Sequence, residues 1–178
     1  MGHFYFVRHG ESLWNAANKI CGKTDIDLNE KGYEQAELAA EKIISENLKI
    51  DLILSSPLKR AFHTAEVISR KTGIPLKVDE RLIEQDFGIY EGTPRNSEEF
   101  RLAITSFINS FGNGENMLKT AHRIYSVLDE ITGDDEHVVL IAAHNGLARI
   151  IQSYFTDMTN EEFASFGIRN CEIRRFDF

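Results

Sequence analysis

His9 stands between Arg8 and Gly10, directly after the short apolar run that ends at Val7. A neutral imidazole at such a place is a competent nucleophile toward phosphorus, and the covalent intermediate it forms splits a difficult displacement into two easier ones. Charge spreads over the equatorial oxygens of a transferring phosphoryl group, so guanidinium groups held there stabilise the transition state. Arg8 and Arg60 are the residues suited to that task, and His144 would add a donor. A departing alkoxide needs a proton, which a carboxylic acid beside the phosphate can donate. Glu84, in an irregular segment just past a strand, fits that role, and its carboxylate would then activate water.

The elements that must carry these groups alternate between strand and helix. His3 to Val7 reads as a buried strand, Asp51 to Leu54 as a second and Leu76 to Val78 as a third. Val138 to Ile141 is a continuous apolar run, as expected of a strand covered on both faces, and Glu172 to Phe176 is the last strand. A helix is expected from an Asn29 N-cap, with Tyr33, Ala36, Ala40, Ile43 and Ile44 at helical spacing. A second helix is expected to start at Ser56-Pro57, as cap and first helical residue, and to run to about Arg70. Ser97 to Phe111, Glu115 to Ile131 and a segment from His144 through Tyr154 also read as helices, while Glu80 to Gly92 reads as a loop. Phe100, Ile104, Phe107, Ile108 and Phe111 form an apolar stripe expected in the core, with a pocket cap or a dimer face as alternatives. This pattern predicts one α/β domain over residues 1–178 with a mostly parallel sheet. Ligands of such sheets bind beyond the carboxyl ends of the strands. Three of those ends deliver Arg8-His9-Gly10, Ser56 to Arg60, and His144-Asn145-Gly146.

Composition narrows the partners. Hydrophobic residues make up 42% of the 178 and charged residues 27%, ordinary for a globular protein, and the formal charge of −8 argues against a nucleic-acid or anionic-membrane surface. Two cysteines do not make a disulfide framework, and no secretory pattern or long apolar stretch is present, so a reduced cytoplasmic location is expected. The histidines lack close metal-ligand spacing, and neither Cys21 nor Cys171 is followed by arginine at the spacing of a thiol-phosphatase loop. His3, His63, His122 and His137 are assigned to structure or surface, and Lys59 to solvent.

The run Phe6-Val7-Arg8-His9-Gly10-Glu11-Ser12 with Asn15 resembles the signature of the histidine phosphatase superfamily, also called phosphoglycerate mutase-like. The likeness continues through Gly22 to Asp25, Ser55 to Ala61 with Thr64-Ala65, Leu82 to Gly88 with Glu91-Gly92, Gly114-Glu115-Asn116 with Arg123, and Ala143 to Gly146. It implies a three-layer α/β/α sandwich, His9 as nucleophile, Arg8, Arg60 and His144 as the phosphate pocket, and Glu84 as acid and base. It also implies that Asn15 and Asn145 contact substrate, that Cys21, Gly22 and Lys23 border it, and that the hydrolytic branch needs no metal or organic cofactor. Mutases of this family follow the acid glutamate with Arg-His-Tyr-Gly and carry a long basic insertion. Here Gln85-Asp86-Phe87-Gly88 follows Glu84, and Gly92 to Gly114 is short, with Arg95 and Arg101 its only basic residues.

The resemblance therefore implies a phosphomonoesterase acting on a small phosphorylated metabolite, similar to α-ribazole and broad-specificity phosphatases. A phosphoglycerate mutase is the alternative, and a non-catalytic phospho-ligand domain a third. A monomer or a homodimer is expected.

Overall fold

A computed structural model describes residues 2–134 and 136–178. Five strands, β1 (His3–Arg8), β2 (Leu52–Ser55), β3 (Leu76–Val78), β4 (Val139–Ala143) and β5 (Ile173–Asp177), form one sheet in the order β3-β2-β4-β1-β5. All neighbours are parallel except β5, which runs antiparallel along β1. The central strands β4 and β1 owe their burial to side chains that alternate between two apolar faces. Phe4, Phe6, Val139, Ile141 and Ala143 point into one core with Ile124, Leu128, Leu147 and Ile151. Tyr5, Val7, Leu140 and Ala142 point into the other with Ala39, Ala40, Ile43, Ala65 and Ile68.

Helices therefore cover both faces. On one side lie α2 (Glu30–Ser45) and α3 (Lys59–Thr72), and on the other α5 (Met117–Thr132) and α6 (Asn145–Phe155). This is the three-layer sandwich. Asn29 caps α2 through Gly32 N–H as expected, but Tyr33 and Ile44 lie on its exposed face.

Three short helices, α1 (Leu13–Ala16), α4 (Glu98–Ala103) and α7 (Asn160–Ser165), complete the fold, with single 3₁₀ turns at Glu80–Leu82 and Gly88–Tyr90 inside the expected loop. No helix among the described residues is long and apolar enough to cross a membrane.

Two expectations change. The expected helix over Ser97 to Phe111 is only the six residues of α4. Beyond it, polar side chains take backbone groups that a helix would use: Thr105 Oγ1 donates to Leu102 O and Phe111 N–H donates to Asn109 Oδ1. The apolar stripe consequently divides. Phe100 and Phe111 bury beside Ile20 and Phe87, Phe107 packs on Phe163, and Ile108 is 75% exposed.

The start of α3 also moves. Its N-cap is Leu58, not Ser56, and the Ser56 hydroxyl is shared between Leu58 N–H and His144. Asp25, from a distant loop, accepts the Lys59 N–H instead at 2.8 Å.

Candidate active site

The carboxyl ends of β1 and β4 open on one cleft of about 110 Å³, room for a small ligand. His9 leaves β1 with its own N–H bonded to Ala143 O of β4, which fixes it at the cleft floor. Its Nδ1 lies 2.7 Å from the carbonyl of Gly10. A carbonyl only accepts, so Nδ1 carries the proton and Nε2 keeps its lone pair. Asn170 Nδ2 donates to His9 O, and Thr64 Oγ1 accepts Gly10 N–H, so the backbone on both sides of the ring is tied down.

His144, wholly buried, stands beside it with ring centroids 5.2 Å apart. Its Nε2 is 2.8 Å from Ser56 Oγ, which also accepts Leu58 N–H. When the serine hydroxyl donates to Nε2, His144 carries its proton on Nδ1; in the other tautomer Nε2 donates to the serine. That Nδ1 has no protein partner. Arg8 Nε and Arg60 Nε are in the same condition, and these three are the buried side-chain polar atoms without a partner among the described residues. Buried polar groups are normally satisfied, so two guanidinium donors and a ring nitrogen left over beside His9 could hold an anion.

Other arms of both arginines are held by backbone carbonyls. Arg8 Nη1 donates to Ile168 O at 2.8 Å. Arg60, fully buried, gives Nη1 to Thr24 O and Nη2 to Gly22 O. Its guanidinium thus both borders the histidines and anchors the 22–24 loop. Glu91 holds that loop from the other side, its carboxylate accepting the N–H groups of Gly22, Lys23, Thr24 and Phe87. A β-carbon on Gly22 would stand 2.2 Å from Gln85 O, so only glycine allows this approach of the two loops.

Glu84 closes the cleft opposite, 5% exposed, with Oε1 accepting Gln85 N–H and Oε2 accepting Gly146 N–H at the start of α6. Its loop is braced by Glu115, which bonds Gln85 Nε2 and Asp86 O through its backbone and Arg123 through its carboxylate. Burial raises the Glu84 pKa above the ordinary carboxylate value, partly offset by those two backbone donors. Burial, with Arg60 and Arg8 beside it, pushes the His9 pKa well below the ordinary imidazole value. His144 is lowered by burial and by Arg60. Arg8 itself is lowered to about 10 by burial and by Arg95. These shifts run toward a neutral imidazole and a protonated carboxyl, the forms a nucleophile and a general acid require.

Of the residues marked in the sequence, Arg8, His9, Asn15, Cys21, Glu84 and Asn145 line the cleft. Asn15 Oδ1 accepts Ser12 N–H and Asn145 Oδ1 accepts Ile168 N–H, which turns their amide nitrogens outward as donors. The Cys21 thiol, raised to about 11 by burial, is no nucleophile near neutral pH. Gly22, Lys23, Arg60 and His144 are not on the wall: Gly22 is buried beneath Glu91, the Lys23 side chain faces Asp86 in solvent, and Arg60 and His144 are fully buried behind it. Sequence reasoning missed Arg149 and gave Arg95 no role, yet both line the cleft. Arg149 lies one helical turn after Asn145 and on the same face, a spacing that was available to find it. No group of three or more His, Cys, Asp or Glu among the described residues could hold a metal ion.

Residues 4–178 match the sequence profile of the Histidine phosphatase superfamily (branch 1). The chain belongs to that superfamily. A relative from Yersinia pestis, named a probable phosphoglycerate mutase, is 31% identical over 98% of this chain and 84% of its own. A solved mycobacterial glucosyl-3-phosphoglycerate phosphatase superposes with a TM-score of 0.83 at 25% identity, covering 98% of this chain and 90% of that one. Phosphoserine phosphatase from Entamoeba histolytica, solved with 3-phosphoglyceric acid, gives 0.83 at 26% identity, covering 100% of this chain and 91% of that one. This member of the superfamily thus resembles both phosphatases and a mutase.

Proposed function

We propose that this histidine phosphatase superfamily protein is a phosphomonoesterase that passes the phosphoryl group of a small ester to His9 and then to water. The observation that carries the reading is the pairing of an unprotonated His9 Nε2 with a buried Glu84 in the same cleft. In the first step Nε2 attacks phosphorus, the ester P–O bond breaks, and the Glu84 carboxyl gives its proton to the departing oxygen. Arg8 Nε, Arg60 Nε and His144 Nδ1 donate to the equatorial oxygens as their charge grows. In the second step the Glu84 carboxylate takes a proton from water, the new oxygen bonds to phosphorus, and the P–N bond breaks. Phosphate leaves with both residues restored.

Hydrolysis is preferred over mutase chemistry because the segment from Gly92 to Gly114 is short and brings only Arg95, Phe100 and Ile104 to the cleft. A mutase must keep the dephosphorylated acid in place for return transfer, and a longer cover serves that purpose. The named relative from Yersinia supports the mutase as the second reading. A panel of phosphate esters, with product analysis on phosphoglycerate with and without its bisphosphate, decides between them. Free phosphate from wild type and none from His9→Ala is expected. Isomer formation outpacing phosphate release would establish the mutase instead.

A further inference from the structure

Nδ1 of His9 bonds to Gly10 O, and a single peptide unit joins the two residues. How that unit is set decides which ring nitrogen faces the cleft. Side chains hold both of its ends. Gly10 N–H donates to Thr64 Oγ1 at 3.0 Å, and the Thr64 hydroxyl gives its own proton to Arg60 O at 2.7 Å. At the other end His9 O lies 2.7 Å from the Asn170 side-chain amide, 161 residues along the chain. A carbonyl only accepts, so Asn170 Nδ2 faces it as the donor. No backbone N–H among the described residues donates to His9 O. His9 is buried, so without Asn170 that carbonyl would lose its partner.

The connection that presents Asn170, residues 166–172 between α7 and β5, has no helix or strand of its own. It is nevertheless tied to the site at several points. Ile168, wholly buried in the core, accepts Arg8 Nη1 on its carbonyl and gives its N–H to Asn145 Oδ1. Cys171 N–H donates to Arg8 O at 2.9 Å, and Glu172 N–H closes a turn on Arg169 O at 3.1 Å. Inside that turn Cys171 has φ of 56°, the left-handed region that a residue other than glycine enters at a cost. Strain of this kind persists where the surroundings over-determine it, and here both turn residues are bonded to the end of β1. Asn170 itself is not on the cleft wall.

We propose that Asn170 is a positioning residue for the nucleophile: its amide sets the His9–Gly10 peptide, which keeps Nδ1 on Gly10 O and Nε2 toward the phosphoryl group. Thr64 holds the other end of the same peptide. This inference rests on the reading of His9 as the phosphoryl acceptor, and it adds a residue that touches neither substrate nor reacting atoms.

Asn170→Asp keeps the size and turn preference of the side chain and replaces the donor with a carboxylate. The first readout is the tautomer of His9, from nitrogen NMR of protein labelled in its histidines, with the His9 signals assigned by their loss in His9→Ala. Near neutral pH the wild type is expected to hold His9 in the Nδ1–H form, and Asn170→Asp to lose that preference as Nε2–H rises. The second readout is single-turnover phosphorylation of His9 by p-nitrophenyl phosphate. It should slow by about 10–100-fold, with the half-saturating ester concentration within about twofold of wild type. Thr64→Val, which frees the same peptide at Gly10 N–H, should move the tautomer in the same direction. The two rate losses should combine to less than their product, because both act on one peptide. Asn170→Ala carries the same readouts if the aspartate variant does not fold. A His9 tautomer in the folded Asn170 variants equal to that of wild type overturns the proposal, whatever happens to Tm. So does an unchanged phosphorylation rate. Absence of phosphohistidine in wild type refutes the phosphatase reading instead, and the tautomer comparison still decides whether Asn170 sets the ring.

Discussion

The backbone N–H of Gly146 donates to Glu84 Oε2 at 2.9 Å, and a β-carbon built on Gly146 would stand 2.5 Å from Oε1 of the same carboxyl. The first turn of α6 therefore sets the position of the proposed acid, and a glycine is required at the contact. Because His144 sits between β4 and α6, one strand-to-helix junction orients both sides of the proposed reaction.

Gly146→Ala should keep the fold and displace the Glu84 carboxyl. A misplacement on the order of 1 Å can cost about 100-fold, so kcat on an alkyl ester should fall by about 10–100-fold. Steady-state kinetics with a thermal melt checks this. A kcat within about twofold of wild type, at an unchanged Tm, would separate the contact from the chemistry.

Glu84→Gln removes the proton donor and leaves the nucleophile in place. Alkyl esters, whose leaving oxygen must be protonated, should lose about 10²–10⁴-fold in the rate of phosphoenzyme formation. An aryl ester such as p-nitrophenyl phosphate has a stable leaving anion and should lose much less in that step. Single-turnover rates on the two substrates provide the measurement, and equal losses would contradict the assignment.

The pH dependence follows from the same two groups. The proposed mechanism requires His9 neutral and Glu84 protonated, so kcat/KM should fall at acid pH through a His9 pKa below 6.5 and at alkaline pH through a Glu84 pKa above 4.5. Stability has its own sign. The depressed folded-state pKa values of His9 and His144 mean that below about pH 6.5 the unfolded chain binds protons the folded chain refuses. Their contribution to stability is therefore lost as pH falls through that window. Glu84, raised on folding, acts in the other direction, costing stability as pH rises past 4.5 toward its folded pKa. Melts from pH 7 to pH 5 should show a falling Tm, with a shallower slope in His9→Asn. An identical slope would rule out His9 as a contributor.

Glu91 touches neither histidine, yet its carboxylate accepts backbone N–H groups from both the 22–24 loop and Phe87. Glu91→Gln leaves one oxygen for these donors and turns an amide donor against the rest, a loss of about 1–3 kcal/mol. KM should rise with the loosened loop, and Tm should drop. Unchanged KM and Tm would show that the clamp is redundant.

Much of this arrangement was readable in the chain because strand ends announce themselves. An apolar run that stops at Arg8-His9-Gly10 or at His144-Asn145-Gly146 is both a buried strand and a chemical terminus. The helices α1 and α7 were not read, although the Ser12 and Thr159 capping boxes mark them, since so few residues carry no periodicity. Arg95 reaches the cleft through a long-range contact, the bridge of Lys19 to Pro94, which no local pattern encodes. Arg60 was read as a phosphate ligand, but only the fold reveals that its Nη groups are committed to Thr24 and Gly22.

The central claim is that His9 carries the phosphoryl group, and trapping it is the most direct test. The protein is mixed with a labelled ester, quenched in alkali within the first turnover, and mapped by mass spectrometry. The account predicts up to one phosphoryl group per chain, on Nε2 of His9, absent from His9→Ala and accumulating when Glu84→Gln slows its hydrolysis. Steady phosphate release with His9 unlabelled at every time, or label on another residue, would contradict it.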